Sequence, residues 1–431
     1  MMKCAILLFC LINGISYAQE PLSLQDAIQK TLKYNFDIRI ADLSAQQAER
    51  NNTWGNAGAS PNVFLNASAS QSRSNVHNEL ANGTIQDNPN GKNINYNPNL
   101  SVSWTIFDGG KMFLLKKQLN ELELIGVSQF KAQLQTMVSR TIQVYAQVVW
   151  EQQQLIAIDT SLMLARVRMN ISDVKFQTGA GPKVDYLQAR VDYNARQSDS
   201  LSQVAALVQA QDSLNVLMGE TDDKKYTVSD SLPLNTSLQP VTPELLQSSN
   251  TLLDVYRRNA TVSKLNADIA KTYFLPQVSF NGGYNYSQST SATGFALYSR
   301  SYGPNGTLNL SLPLFEGGNL RRQAKVGMLQ AMKDELTYEK QNTIIGRQYR
   351  TAWRNYEVSV AAYRLESENI SYAKENLHVQ LERFRLGVGT TLEARQAEND
   401  YVAALETLYT AAYNLKVNET IVLELENQLV K

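Results

Sequence analysis

The sequence predicts an α+β membrane protein in which four β-strands, arranged as two hairpins, accompany two pairs of long helices, with one plan used twice. Three observations carry this expectation. Two unrelated glycine motifs recur at one constant spacing, paired stretches alternate apolar and polar residues with period two, and segments of about 65 residues run without proline or any glycine cluster.

The repeat is the firmest of the three. Phe107-Asp108-Gly109-Gly110 returns as Phe315-Glu316-Gly317-Gly318, and the turn from Phe176 to Gly181 returns as Phe384 to Gly389, both 208 residues later. Two motifs sharing one offset imply a duplication with no net insertion between them. Pro61-Asn62-Val63-Phe64 and Pro276-Gln277-Val278-Ser279 lie 215 residues apart, which puts seven extra residues of the first copy between Pro61 and Phe107, most cheaply in a loop. The expected organisation is a leader over 1–18, a first repeat over 19–219, a linker over 220–242 and a second repeat over 243–431.

In chain order, Lys3, the apolar run from Ala5 to Ile12 and Ser16-Tyr17-Ala18 form a secretory signal pattern. The run is shorter than the ~20 residues of a transmembrane helix, and no later segment supplies one. Membrane insertion would then fall to β-strands. Both cysteines, Cys4 and Cys10, lie in the leader, so the mature chain offers no disulfide or thiolate chemistry; Phe9 is bulky for lipid attachment at Cys10. Removing residues 1–18 leaves 39 basic against 40 acidic residues, and nothing suggests a nucleic-acid surface.

Each repeat begins with a helical segment, Ser23 to Asn56 and Pro243 to Phe274. Strands follow: Leu100, Val102, Trp104 and Ile106 alternate with Ser101, Ser103 and Thr105, and Leu308 to Leu314 alternate around Asn309 and Ser311. Apolar on one side and small polar on the other suits a barrel strand between lipid and water; an ordinary half-buried sheet alternates the same way. The polar stretches Asn75 to Pro98 and Gln288 to Asn305 are expected as loops. The long helices carry a seam at Tyr349, Trp353, Tyr356, Val360 and Tyr363, stepping by four and three as a coiled coil does. Four strands cannot close a membrane barrel, so subunits must pool them; two subunits give a filled interior and three begin to leave a lumen.

In this order of elements, with Phe-Asp/Glu-Gly-Gly after the second strand and Phe-x-x-Gly-x-Gly followed by Val184 to Arg190 or Leu392 to Glu398, the chain resembles the TolC family of outer-membrane efflux proteins. The resemblance implies a homotrimer with a twelve-stranded barrel in the outer-membrane lipid of a Gram-negative bacterium and a coiled-coil helical barrel in the periplasm. It implies a passive exit duct of a tripartite efflux or type I secretion system, with a periplasmic adaptor and a proton-driven or ATP-driven inner-membrane pump as partners.

Gly109, Gly110, Gly317 and Gly318 are expected at strand-to-helix turns, where glycine admits backbone angles other residues resist. Asp108 and Glu316 suit helix N-termini. Gly179, Gly181, Gly387 and Gly389 break the long helices, and the resemblance makes these turns the periplasmic tip that meets the adaptor. Asp185 and Glu393 are either helix-end groups, Glu393 in a capping box with Thr390, or a lumen-facing acidic ring. Where the family's gate carries a tyrosine and an arginine, this chain has Phe384 and Gly389, and a second acidic ring position is Gln396. Arg385 and Arg395 are the nearby cations. No catalytic residues, metal site or cofactor are expected: His77 and His378 are the only histidines and lie in different regions. The other readings are a coiled-coil outer-membrane stalk or adhesin, which needs neither hairpins nor duplication, and an outer-membrane hydrolase, which would need a nucleophile and base.

Overall fold

A computed structural model describes residues 20–221, 224, 226–228, 232–292 and 296–430; the expected leader lies outside them. The chain opens with β1 (Glu20–Leu22), α1 (Leu24–Tyr34) and α2 (Phe36–Asn51). Ser23 caps α1 by accepting from the Asp26 amide. The single helix expected over Ser23 to Asn56 is interrupted at Asn35. Its Oδ1 accepts from the amides of Asp37 and Ile38 at 2.9 and 3.2 Å, which starts α2 as an N-cap does. Its Nδ2 donates to the Leu217 carbonyl at 2.9 Å.

A hairpin of β2 (Asn62–Glu79) and β3 (Ile85–Asp108) leads into α3 (Lys111–Gln177), and α4 (Lys183–Met218) follows after a short turn. The short strand β4 (Tyr226–Val228) precedes α5 (Pro243–Ser249) and α6 (Thr251–Thr272), then the hairpin β5 (Gln277–Ser291) and β6 (Tyr298–Ser311), α7 (Asn319–Arg385) and α8 (Thr391–Leu425). Asn250, 215 residues after Asn35, separates α5 from α6, and its Nδ2 donates to the Leu425 carbonyl at 3.0 Å. Leu425 lies 208 residues after Leu217. One asparagine device, tying a helix break to the end of a later helix, is therefore present in both copies.

The long helices α3 and α7 have 67 residues each, as the absence of breakers predicts. At 1.5 Å per residue each is roughly 100 Å long. The main sheet is antiparallel with order β2-β3-β5-β6, and β1 pairs with β4 in parallel. Here the strands exceed the expected lengths. Most of the two polar stretches read as loops is strand, because Asn, Ser and Thr side chains leave the backbone ladder free to form: Ser68↔Asn97, Ser70↔Asn95 and Ser72↔Asn93 pair across the first hairpin, and Ser287↔Ser301 and Ser289↔Ser299 across the second.

Contacts divide the described residues into two compact units, each drawing on both repeats: those within 20–40, 132–250 and 345–430, and those within 41–131 and 251–344. The first has a core of Leu22, Ala27, Tyr145, Val148, Val149, Leu214, Met218 and Tyr226, and the Tyr145 hydroxyl donates to the Leu22 carbonyl. In the same unit, part of the span read as linker is strapped along helices. The Leu238 and Val241 amides donate to the hydroxyls of Tyr356 and Tyr349 at 3.1 and 2.9 Å, and Lys416 Nζ donates to the Pro233 carbonyl. Two residues of the expected coiled-coil seam thus hold the strap. The second unit contains the whole main sheet.

Candidate functional site

The sheet has two chemically opposite faces. Residues paired across an antiparallel ladder share a face, and the register places Val63, Leu65, Leu100, Val102, Trp104, Val278, Phe280, Leu308 and Leu310 together. Six of these side chains are exposed, Leu65 to 77% and Leu310 to 72%, while Val102, Val278 and Phe280 are half-buried. Tyr96, Tyr284, Tyr286 and Tyr302 continue the same face, with the Tyr286 and Tyr302 rings stacked at 6.5 Å. The other face is a carpet of amides and hydroxyls, in which Ser287 Oγ donates to Asn97 Oδ1 at 2.8 Å and Asn285 Nδ2 to Asn305 Oδ1 at 3.1 Å. Among the described residues no helix is long and apolar enough to cross a membrane. The two edge strands, β2 and β6, have no further partner strand among those residues.

At the end of β3, Gly109 and Gly110 have φ of 71° and 85°. A Cβ on Gly109 would lie 2.7 Å from Leu275 Cβ and 2.9 Å from the Thr272 carbonyl oxygen, so this turn needs glycine for space as well as angle. Asp108 accepts from the Met112 amide at 3.1 Å and caps α3. Gly317 and Gly318 repeat the positive φ, at 61° and 77°, in open surroundings. There the Glu316 backbone carbonyl accepts from the Asn319 amide.

The helix turns keep one backbone plan. Gly179 and Gly387 have φ of 74° and 79°. The amides of Gly181 and Gly389 donate to Lys175 and Arg383 carbonyls six residues back, both at 3.0 Å, and each glycine sits so close to the preceding helix that a Cβ would come within 3.1 Å of it. Thr390 and Glu393 form a full capping box, the Glu393 carboxylate accepting from the Thr390 amide at 2.8 Å. Those Thr390 hydrogen bonds hold the Glu393 carboxyl below its ordinary range. Pro182 stands at the N-cap of α4 and makes no side-chain cap. Asp185 accepts from the Thr391 hydroxyl at 3.1 Å, so the starts of α4 and α8 are tied together.

Phe384, expected at a lumen constriction, is instead 2% exposed. Lys175 covers it, with Nζ 4.0 Å from the ring centroid and donating to the Phe384 carbonyl at 3.1 Å; a cation over an aromatic face is attracted by its quadrupole. Arg385 is exposed and lies 3.8 Å from Glu382, and Gln396 donates to Asp400, so neither is drawn to Asp185 or Glu393. Arg395 reaches Asp192 at 3.6 Å.

Sequence reasoning missed a buried ion cluster beside these turns. Arg168 of α3 donates through Nε to Glu398 of α8 at 3.0 Å and through NH1 to Asp192 of α4 at 2.9 Å, with its side chain 4% exposed. Burial pushes the Glu398 carboxyl up against the pull of Arg168. Burial also raises Asp192, but hydrogen bonds from Arg168 and Gln188 outweigh it and leave its carboxyl lowered. Glu398 Oε1 is buried without a hydrogen-bond partner. The available signal was an arginine amid small and apolar neighbours in Leu164-Ala165-Arg166-Val167-Arg168-Met169.

Two hairpins in one sheet with a bare apolar face and open edges, joined to paired long helices, define an outer-membrane channel subunit. The profile of the family described as "Outer membrane efflux protein" matches residues 27–220 and again 242–425. The chain belongs to that family, a family of outer-membrane exit ducts. It is 23% identical over 296 residues to outer membrane protein TolC of Vibrio cholerae, a match spanning 67% of this chain and 66% of that one. It is 20% identical over 406 residues to the alkaline protease secretion protein AprF of Pseudomonas aeruginosa, covering 91% and 82%. The Campylobacter jejuni CmeC outer membrane channel has the same fold, with TM-score 0.77 and 17% identity over 94% of this chain and 85% of that one.

Proposed function

We propose that the protein works as a passive homotrimeric exit duct, in which three subunits pool their four strands into a twelve-stranded outer-membrane barrel. The observation that carries this reading is the open sheet: β2 and β6 present unpaired edges beside a bare apolar face. In lipid every such edge must be satisfied, and closure through neighbouring subunits does so. Twelve strands leave a lumen, whereas eight fill with side chains.

The turns at Gly179, Gly181, Gly387 and Gly389 then form the end that meets a periplasmic adaptor, and an inner-membrane pump drives transport; the duct itself has no enzymatic step. Membership of an efflux family and the secretion role in the name of AprF support this assignment. The organisation is read as a leader over 1–18, repeats over 19–219 and 243–431, and a linker between them. Multi-angle light scattering of the detergent-solubilised mature protein is the test. A trimer mass is expected, and a monodisperse monomer that keeps its β-sheet signal would overturn the pooled barrel.

A further inference from the structure

Over most of its length the polar face of the sheet carries no charge. It comprises the even-numbered positions 62–74 of β2 and the odd-numbered positions 91–105 of β3, 277–291 of β5 and 299–311 of β6. Of these 30 positions, all but one are Asn, Ser, Thr, Gln or Gly, and the exception is Phe64. The chain as a whole is 19% charged, so a water-facing surface of that size would ordinarily hold several charges. The three charged residues within these strand spans, Arg73, Lys92 and Arg300, all fall on the opposite face. One acid, Asp108, stands at the end of this face, paired with Gln277 beyond the bulge of β3, and it is buried and engaged in capping α3.

A passage lined by one sign of charge within low-dielectric walls holds a potential of several kT. A carboxamide offers both an acceptor oxygen and donor hydrogens, and a hydroxyl does likewise, so this lining solvates either sign of ion equally well. We propose that the barrel is an electrically neutral passage, meeting cargo with carboxamides and hydroxyls and leaving cations, anions and neutral polar molecules unsorted by charge. The inference rests on the pooled barrel, which turns this face to the lumen.

The test reads the local potential directly. Asn97→Cys and, in a separate variant, Ser287→Cys place single thiols on the polar face, since both native cysteines lie in the expected leader. Outer membranes are treated separately with a cationic and an anionic methanethiosulfonate of matched size, and modification rates are normalised to a free thiol. Each kT of local potential changes the cation-to-anion rate ratio by about 7-fold. A normalised ratio within about twofold of unity at both sites is expected, and adding Asn285→Asp should raise it toward the cation. A ratio of about tenfold or more in either direction without that added charge would overturn the neutral passage while leaving the barrel intact. Thiols at 97 and 287 inert to both reagents, with Leu100→Cys reactive to both, would show the faces reversed and overturn the barrel reading as well.

Discussion

Phe176 and Phe384 occupy the same place in the two repeats, 208 residues apart. Phe176 is 38% exposed and stacks on Tyr186 at 6.3 Å, whereas Phe384 is 2% exposed beneath Lys175. The residues that follow diverge in the same sense: Tyr186 in the first copy corresponds to the fully buried Ala394 in the second. What both copies keep is backbone, the positive φ at Gly179 and Gly387 and the six-residue hydrogen bonds that close each turn. Duplication has preserved what only glycine can do and released the side chains to suit different neighbours.

The ion cluster is the sharpest break in this internal symmetry and should give the largest effect. Arg168 corresponds to the exposed Asn376, and its partner Glu398 to the exposed Arg190. Arg168→Ala strands two carboxylates in a buried site, at a cost of about 3–5 kcal/mol, while Asn376→Ala should change stability by no more than about 0.5 kcal/mol. Thermal unfolding of the two variants side by side decides it. Equal melting temperatures would mean that the cluster is solvated in the assembled protein.

Next in size is the aromatic pair. Phe384→Ala removes a fully buried ring and should cost about 3 kcal/mol or more, against about 1 kcal/mol for Phe176→Ala. A denaturant midpoint lowered equally by both would show that subunit contacts cover Phe176 and restore the symmetry.

The smallest effect concerns the caps and separates helix-end chemistry from conduction. Because the Glu393 carboxyl is lowered by its bonds to Thr390, the stability it confers is present above the ordinary carboxylate range and fades as pH falls through its folded value. Glu393→Gln should therefore flatten part of the acid-side decline in melting temperature. The double variant Asp185→Asn with Glu393→Gln should lower cation selectivity in planar bilayers if both carboxylates also face the lumen. Unchanged selectivity in an assembled trimer would leave them as helix-end groups alone.

Much of this was legible because the underlying physics is local. Glycine-glycine turns, a capping box four residues long and 67-residue helices without breakers are each written in short stretches. The breaks at Asn35 and Asn250 were not, since an asparagine inside a helical pattern stops the helix only if a distant carbonyl, here Leu217 or Leu425, receives its amide. The strand lengths were underestimated because side-chain polarity says where water is, while the ladder depends on backbone pairing. Burial of Phe384 and Arg168 depends on which helices converge around them, and no spacing within one helix encodes that.

The first hairpin ends in a ribbon that stands apart from the rest of the sheet. β3 is joined to β5 only from Asn93 onward, so the ribbon from Val76 to Asn88, beyond the bulge at Ser74, has no third strand beside it among the described residues. Residues gained or lost there leave the pairing below it untouched, and with it the strand stagger that fixes a barrel's girth. The seven residues by which the first copy exceeds the second fall within the span that contains this ribbon. In the proposed barrel, the tip of this hairpin can therefore change in length while the bore stays unchanged.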